Sequence, residues 1–169
     1  MKRTPRGTPV GVDDPLDVVD RCDWVTQDGR CRLALERPDV NHRFVTERRL
    51  DEYRCPFIED ERTWTDCEEF TSRDHGRRCA RCGLEERPIA HDDSARALLE
   101  RHHLSYAEAD GTEITVVLCR WCHAKVHAGT ARVDDPAEPD RAALAEVERR
   151  ARLERAESFT TAADRRDED

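Results

Sequence analysis

The chain has 169 residues, of which 37% are hydrophobic and 5% aromatic, whereas 40% are charged. This composition leaves room for one domain or two small ones with a small apolar core, and no stretch reaches the length of a membrane span. We therefore expect the eight cysteines to stabilise small modules through metal ions or disulfides.

The charge balance is acidic, with a formal net charge of −9 and a pI of about 5.3. Such a balance argues against plain electrostatic binding of nucleic acid. All but two of the 29 basic residues are arginine, however, and abundant acid with almost no lysine is typical of a protein from a salt-rich cytoplasm. The first residues contain no apolar run, so we expect no secretory signal and a cytoplasmic location.

The chain divides into four segments. Prolines and glycines predict an extended segment over residues 1–20. Residues 21–70 form a cysteine-containing module with a short helix between about Val40 and Tyr53. Residues 71–133 contain both CxxC pairs and the clustered histidines. Residues 134–169 comprise a linker, a solvated helix from Arg141 and a charged tail.

Local patterns predict three elements within residues 71–133. Asp93 or Ser94 is predicted to cap a helix that continues through Leu98, Leu99 and Arg101. The β-branched run Ile114–Leu118 predicts a strand. A turn at Asp110-Gly111 precedes this strand, and a helix over Trp121–Ala128 follows it and ends at Gly129.

Two CxxC pairs, Cys79/Cys82 and Cys119/Cys122, have the spacing of structural zinc ligands. Each pair presents two thiolates to one tetrahedral ion. Cys119 and Cys122 also lie at the start of a predicted helix, where the helix dipole favours the thiolate. The sequence therefore predicts a four-cysteine zinc site.

The other four cysteines, Cys22, Cys31, Cys55 and Cys67, lack CxxC spacing. A second zinc site is the favoured hypothesis because this segment has few large apolar residues. Buried free thiols are the first alternative, and disulfides are the second.

The histidines exceed what one zinc site needs. His123 and His127 are four residues apart on a predicted helix, so their rings share one face and can hold a metal ion. One histidine of the pair His102-His103 can complete a three-ligand site, and the other is then free to act as a general base.

These motifs resemble the HNH nucleases, which share a ββα-metal fold. A narrower resemblance, over most of the chain, is to an uncharacterised HNH-type family of haloarchaea. The residues that carry the two resemblances are Cys22–Cys31, Tyr53–Pro56, Cys79–Cys82, His102–Tyr106 and Val117–His127. The fold implied is α+β: a small zinc-stabilised treble-clef domain preceded by a cysteine-bearing module and followed by a C-terminal helix.

The resemblance implies a role for each histidine. His102, His123 and His127 would be ligands of a catalytic divalent ion (Mg, Mn or Zn), and His103 the general base. The implied activity is hydrolysis of phosphodiester bonds in nucleic acid, with DNA as the expected partner. Arg73, Arg77, Arg78 and Arg120 are the candidate phosphate contacts.

One position departs from the family pattern. The Asn that orients the base in HNH enzymes is expected near residue 114, where this chain has Ile114, and Thr115 is the nearest replacement. Two alternatives to an endonuclease therefore remain: an inactive HNH-fold module that binds nucleic acid or protein, and a structural zinc protein.

Overall fold

The computed structural model describes residues 1–19, 21–59, 66–89, 92, 94–106 and 112–164. They include a short 3₁₀ helix (Pro15–Val18), three strands and five α-helices. The strands are β1 (Thr71–Arg73), β2 (Leu99–Ser105) and β3 (Glu113–Cys119). The helices are α1 (Arg32–Glu36), α2 (His42–Leu50), α3 (Pro56–Glu59), α4 (Arg120–His127) and α5 (Arg141–Asp164). The predicted α+β class is confirmed.

Strand β3 is the centre of the sheet, whose strand order is β1-β3-β2. It pairs in parallel with β1 and antiparallel with β2. Every residue of β3 after Glu113 is buried, because strands cover both of its edges and other chain segments cover its faces. The β-branched run that predicted this strand is typical of such a fully buried position.

Strand β2 replaces the helix predicted through Leu98, Leu99 and Arg101, and that prediction was wrong. Leu99 pairs with Cys119, and the ladder continues to the pair of Ser105 with Ile114. Pairing with β3 gives these residues backbone hydrogen bonds, which outweighs the weak helical pattern of a short window. The predicted cap Asp93 and the predicted turn at Asp110-Gly111 lie outside the described residues.

Helix α4 follows β3 without a connecting loop. Cys119 is its N-cap residue, and the Cys119 side chain accepts a hydrogen bond from the backbone N–H of Cys122. Gly129, with a φ of +72°, ends the helix in the left-handed conformation. The predicted strand-to-helix unit is therefore confirmed.

The N-terminal segment contributes to the core instead of merely leading into it. Val10 and Val12 are completely or almost completely buried. The backbone N–H of Val133 donates to the carbonyl of Gly11 at 2.9 Å. The segment thus covers the sheet-and-helix unit close to the histidines.

Helix α5, the predicted solvated helix, contacts the rest of the protein along one face. Ala143 is buried and Val147 packs against the core, whereas Leu144 is exposed. Arg150 is also buried, and its guanidinium donates to the carbonyls of Arg87 and Arg96 and to the Glu146 carboxylate. Hydrogen bonds as well as apolar contacts therefore fix this helix.

Buried residues of the first three segments form one continuous cluster, which extends from Val10 through Cys55 to Val133. The predicted boundaries at residues 20, 70 and 133 remain predictions. Within the described parts of the chain, no helix is both long and apolar enough to cross a membrane.

Gly11 gives a test of how closely the N-terminal segment packs. Its φ is +88°, and a Cβ there would lie 2.7 Å from Val126 and 2.9 Å from Val133. We expect Gly11→Ala to lower the free energy of unfolding by about 2–5 kcal/mol, which adds the left-handed backbone cost to overpacking. Gly7 has a φ of +83° with no atom within 4 Å of such a Cβ, so Gly7→Ala should cost only about 1–2 kcal/mol. Denaturant unfolding at fixed salt measures both, and equal losses would contradict close packing at Gly11.

Candidate metal centres

The first cluster consists of the four CxxC cysteines. Their sulfur atoms all lie within 4.8 Å of one another, and the Cys82 and Cys119 sulfurs are 3.7 Å apart. Zn–S bonds of about 2.3 Å in a tetrahedron require sulfurs separated by roughly 3.7 Å. The predicted convergence of Cys79 and Cys82 with Cys119 and Cys122 is therefore present.

Two short segments position these sulfurs. The turn after Cys79 is closed by hydrogen bonds from the Gly83 N–H to the Cys79 carbonyl and from the Cys79 N–H to the Leu84 carbonyl, both 2.8 Å. The backbone N–H of Ala80 donates to the Val117 carbonyl at 2.8 Å and joins this turn to β3. The second pair is held by the first turn of α4.

The electrostatics of the quartet favour a cation. Hydrogen bonds with the Cys119 and Cys122 thiols lower the pKa of Cys79, whereas burial raises the pKa of Cys82 to about 12. The thiols therefore cannot all ionise side by side unless a positive charge lies among them. Arg81 supplies part of that charge, because its guanidinium lies 3.8 Å from the Cys122 sulfur.

The second cluster consists of three histidines from β2 and α4. His102 faces α4 from β2, and His123 and His127 lie one helical turn apart. The ring centroids are 4.7–5.0 Å apart, and one nitrogen of each ring lies within 4.8 Å of the others. The three rings that the sequence predicted as ligands are thus brought together.

A second polar group lies beside each ring, and hydrogen bonds hold the His102 and His123 rings in place, whereas Nδ1 of His127 has no hydrogen-bond partner. Nε2 of His102 is 2.8 Å from the Val10 carbonyl, so it carries the proton and leaves Nδ1 as a lone pair. That Nδ1 is buried without a hydrogen-bond partner. Nδ1 of His123 is 2.6 Å from a Glu100 carboxylate oxygen, and the Pro9 carbonyl interacts with His127. Metal-binding histidines are commonly oriented in this way.

The contact with Glu100 directs a bare nitrogen of His123 at the His127 ring. Nε2 of His123 lies 3.0 Å from Nε2 of His127. When Glu100 accepts the Nδ1 proton of His123, the Nε2 atom of that ring is a lone pair. That lone pair can accept the Nε2 proton of His127, or the two nitrogens can share a metal ion. The geometry therefore matches a cation site with three nitrogen ligands.

Burial keeps two of the rings neutral near pH 7. It lowers the pKa of His102 to about 4 and also lowers the pKa of His127. Burial opposes ionisation of Glu100, but hydrogen bonds from His123 and Arg96 outweigh it and hold the pKa of Glu100 below its ordinary value. The cluster thus combines neutral nitrogen ligands with an ionised carboxylate beside them.

His103 lies outside this convergence. Successive residues of a strand point to opposite faces, so His103 faces away from the side on which His102 meets α4. Its ring stacks on Tyr106, with centroids 5.1 Å apart, and its Nε2 is 3.6 Å from a Glu113 oxygen. Glu113, which sequence reasoning missed, is therefore its acidic neighbour. The hydroxyl of Thr115, the predicted replacement for Asn, is buried without a hydrogen-bond partner.

A pocket of about 590 Å³ opens beside the histidine cluster. Its walls include Arg6, Tyr106 and His127, together with Thr4, Pro5 and Thr8. Sequence reasoning missed Arg6 because the N-terminal segment carries no motif. Arg6 comes close to His127 only in the folded chain.

The predicted phosphate contacts are less available than expected. Arg73 donates to Glu113 from Nε at 2.9 Å and from Nη2 at 2.5 Å, and Arg78 pairs with Glu85. Arg120 lies over the Trp121 ring, 4.4 Å from its centroid, and 3.9 Å from Glu146. Arg77 is exposed.

The four N-terminal cysteines are buried and line one small cavity. They do not form a close set like the first quartet, whose sulfurs all lie within 4.8 Å of one another. All eight cysteines, each in a described part of the chain, are free thiols. The structure therefore contains no disulfide among these four cysteines.

A model of the family of unknown function DUF7097 matches residues 1–165. The chain belongs to this family. No curated protein and no solved structure matches the chain. The region matched by DUF7097 includes both cysteine quartets, the three converging histidines and the N-terminal segment that covers them.

The cysteine quartet gives a direct test of metal-dependent folding. We expect Cys82→Ala to lose one equivalent of tightly bound metal and to unfold at markedly lower temperature, because metal-binding energy here is folding energy. Elemental analysis and thermal unfolding check both effects. Ala80→Ser, at the exposed neighbouring position, should keep the metal. Full metal content in Cys82→Ala would exclude this site.

The histidine cluster should bind a further divalent ion with an affinity that depends on Glu100. We expect His127→Ala to abolish this binding, and Glu100→Gln to weaken it about 10–100-fold because the carboxylate orients His123. Calorimetric titration with Mn²⁺ or Zn²⁺ measures the affinity. His75→Ala, an exposed histidine elsewhere, is the matched control. Unchanged binding by both site variants would contradict the assignment.

Proposed function

We propose that this protein is an HNH-type, metal-dependent endonuclease that hydrolyses phosphodiester bonds of nucleic acid, with DNA as the first candidate substrate, in a salt-rich cytoplasm. The observation that carries the proposal is the convergence of His102, His123 and His127 on the β2–β3–α4 unit. In this interpretation the unit is a ββα-metal domain of treble-clef type, and the cysteine quartet holds a structural zinc ion.

The histidine cluster fits a catalytic divalent ion such as Mg²⁺, Mn²⁺ or Zn²⁺. His102 offers a buried bare nitrogen, and His123 and His127 offer facing nitrogens. When bound, the ion would supply positive charge for the scissile phosphate and the leaving oxygen. Three protein ligands leave the remaining coordination positions to substrate and water.

His103 is the proposed general base: its ring faces away from the three ligands but stacks on Tyr106, which lines the pocket beside His127. On taking a proton from water, its ring becomes a cation, which the Glu113 carboxylate at 3.6 Å stabilises. The Arg73 guanidinium lowers the pKa of Glu113, so that this carboxylate stays ionised. In this scheme Arg73 positions the base through Glu113 and does not contact phosphate.

The pocket beside His127 is the proposed substrate entrance. Arg6 can neutralise a backbone phosphate there. Tyr106 lines the same pocket and stacks on His103, which connects the proposed base to the entrance. An acidic protein can bind DNA through such a local positive group when high salt weakens long-range repulsion.

The alternative function is a catalytically inactive HNH-fold module that binds nucleic acid or protein. The observation that favours it is the burial of Ile114, which is 2% exposed and belongs to the core. Ile114 cannot orient His103 as the family's Asn does. Activity therefore depends on whether Glu113 takes over that role.

Nicking of supercoiled plasmid in Mg²⁺ or Mn²⁺, at low and high salt, tests the proposal. We expect His103→Ala to reduce the rate about 10²–10⁴-fold, the usual contribution of a general base. Arg6→Ala should weaken substrate binding more than Arg78→Ala, because Arg78 lies on the exposed zinc turn and pairs with Glu85.

His75→Ala serves as the control for loss of an exposed histidine that is not part of the cluster. Tightly bound metal should be unchanged in all four variants. Nicking that survives His103→Ala would remove this residue from the mechanism. A wild-type protein that nicks neither DNA nor RNA with any divalent metal, but binds duplex DNA in an anisotropy assay, would establish the binding module instead.

A further inference from the structure

We propose that Cys22, Cys31, Cys55 and Cys67 form a second tetrahedral metal site of the zinc type, independent of the nuclease function. The four thiols come from four separate points of the N-terminal module and surround a single cavity. No part of the proposed hydrolysis requires them, so their position around one cavity needs a separate explanation.

Backbone hydrogen bonds fix the position of each cysteine. The Cys31 N–H donates to the Tyr53 carbonyl at 2.8 Å, and the Cys55 N–H donates to the Gly29 carbonyl at 2.9 Å. These bonds place Cys31 and Cys55 on neighbouring segments. The Asp23 N–H donates to the Thr71 carbonyl at 2.8 Å, which joins the Cys22 segment to the chain that follows Cys67.

The cavity between the thiols is of atomic size. Its volume is about 10 Å³, which is close to the lower limit for holding one water molecule. The four cysteines are each 6–8% exposed, so solvent hardly reaches them. An ion with four direct protein ligands needs no larger space, although the thiols must rotate inward to approach as closely as those of the first quartet.

The surroundings of this cavity repeat those of the first quartet. Burial raises the pKa of the Cys22, Cys31 and Cys67 thiols, that of Cys67 to about 12, and the backbone amides of Trp24, Ala34 and Glu69 partly offset this effect. In the first quartet, the amide of Leu84 acts on Cys82 in the same way. Such amides offset the negative charge that metal-bound thiolates carry.

An arginine accompanies each quartet. Arg48 lines the N-terminal cavity and lies over the rings of Phe44 and Phe57, 4.7 and 5.7 Å from their centroids. Arg81 occupies the corresponding place beside Cys122. A divalent ion with four thiolates has a net charge of −2, so a fixed cation nearby lowers the cost of burying it.

Titration of the metal-free, reduced full chain with Co²⁺ tests the proposal, because cobalt bound to thiolates gives a sulfur-to-metal charge-transfer absorption. The histidine cluster contributes no such band but can take up Co²⁺, so the titration is run in parallel on His127→Ala, which lacks that site. We expect the band of His127→Ala to reach its end point at two equivalents of Co²⁺, and the wild-type band to reach the same amplitude. In the His127→Ala background, the double variant Cys55→Ser/Cys67→Ser should saturate at one equivalent with half the amplitude, and so should Cys79→Ser/Cys82→Ser.

A His127→Ala end point at one equivalent, with a band that Cys55→Ser/Cys67→Ser leaves unchanged, would overturn the proposal. The His127→Ala titration decides the question even where a double variant fails to fold. Elemental analysis of the wild-type protein, after dialysis against a mild chelator, should likewise give two tightly bound zinc ions. A single tightly bound ion would count against the second site. Neither measurement depends on nuclease activity, so the two proposals can fail separately.

Discussion

The junction between β3 and α4 determines the geometry of both clusters in the sheet-and-helix unit. Cys119 ends the strand and caps the helix, so a metal ion bound there ties the strand end, the first helical turn and the Cys79 turn together. His123 directly follows Cys122, so the same helix sets the direction of its ring. Because α4 has only eight residues, it has little stability of its own. The cysteine quartet thus supplies the rigidity on which the alignment of His123 and His127 with His102 depends.

The features that sequence predicted well are those with a short-range pattern. The continuous β-branched run gave β3, the glycine after the last turn gave the end of α4, and the CxxC and i, i+4 spacings gave two sets of ligands. Strand β2 could not be predicted in this way, because Leu98–Arg101 has no strong pattern and acquires its conformation from pairing with β3. The contacts that the N-terminal segment makes with the histidines could not be predicted from the sequence either. Val10 acts through its carbonyl, and a backbone carbonyl leaves no trace in the sequence.

Charge pairing explains why the arginine pattern was misleading. The cluster of arginines near Cys79 suggested a phosphate-binding surface, but in a chain with 38 acidic residues most guanidinium groups find a carboxylate nearby. Exposed pairs such as Arg78 with Glu85 contribute little to stability, and they also weaken the local positive potential. The half-buried pair of Arg73 with Glu113 instead connects the sheet to the ring of His103. The sequence alone cannot distinguish an arginine in an exposed ion pair from one in a half-buried pair, because the difference depends on where the carboxylates lie in the folded chain.

We expect the fold to depend on the cysteine quartets, and the arrangement of the histidines to depend on the fold. A chain with 5% aromatic residues has a limited supply of hydrophobic stabilisation, and buried cysteines account for seven residues of its core. Metal bound by these thiolates would replace part of the apolar core. The histidine cluster is different, because the bonds from His102 to Val10 and from His123 to Glu100 hold its rings in place without an ion. Loss of metal from the cysteines should therefore disorder the histidines, whereas loss of the histidine-bound ion should leave the fold intact. This separation would allow an ion at the histidines to exchange with solvent while ions at the cysteines stay bound.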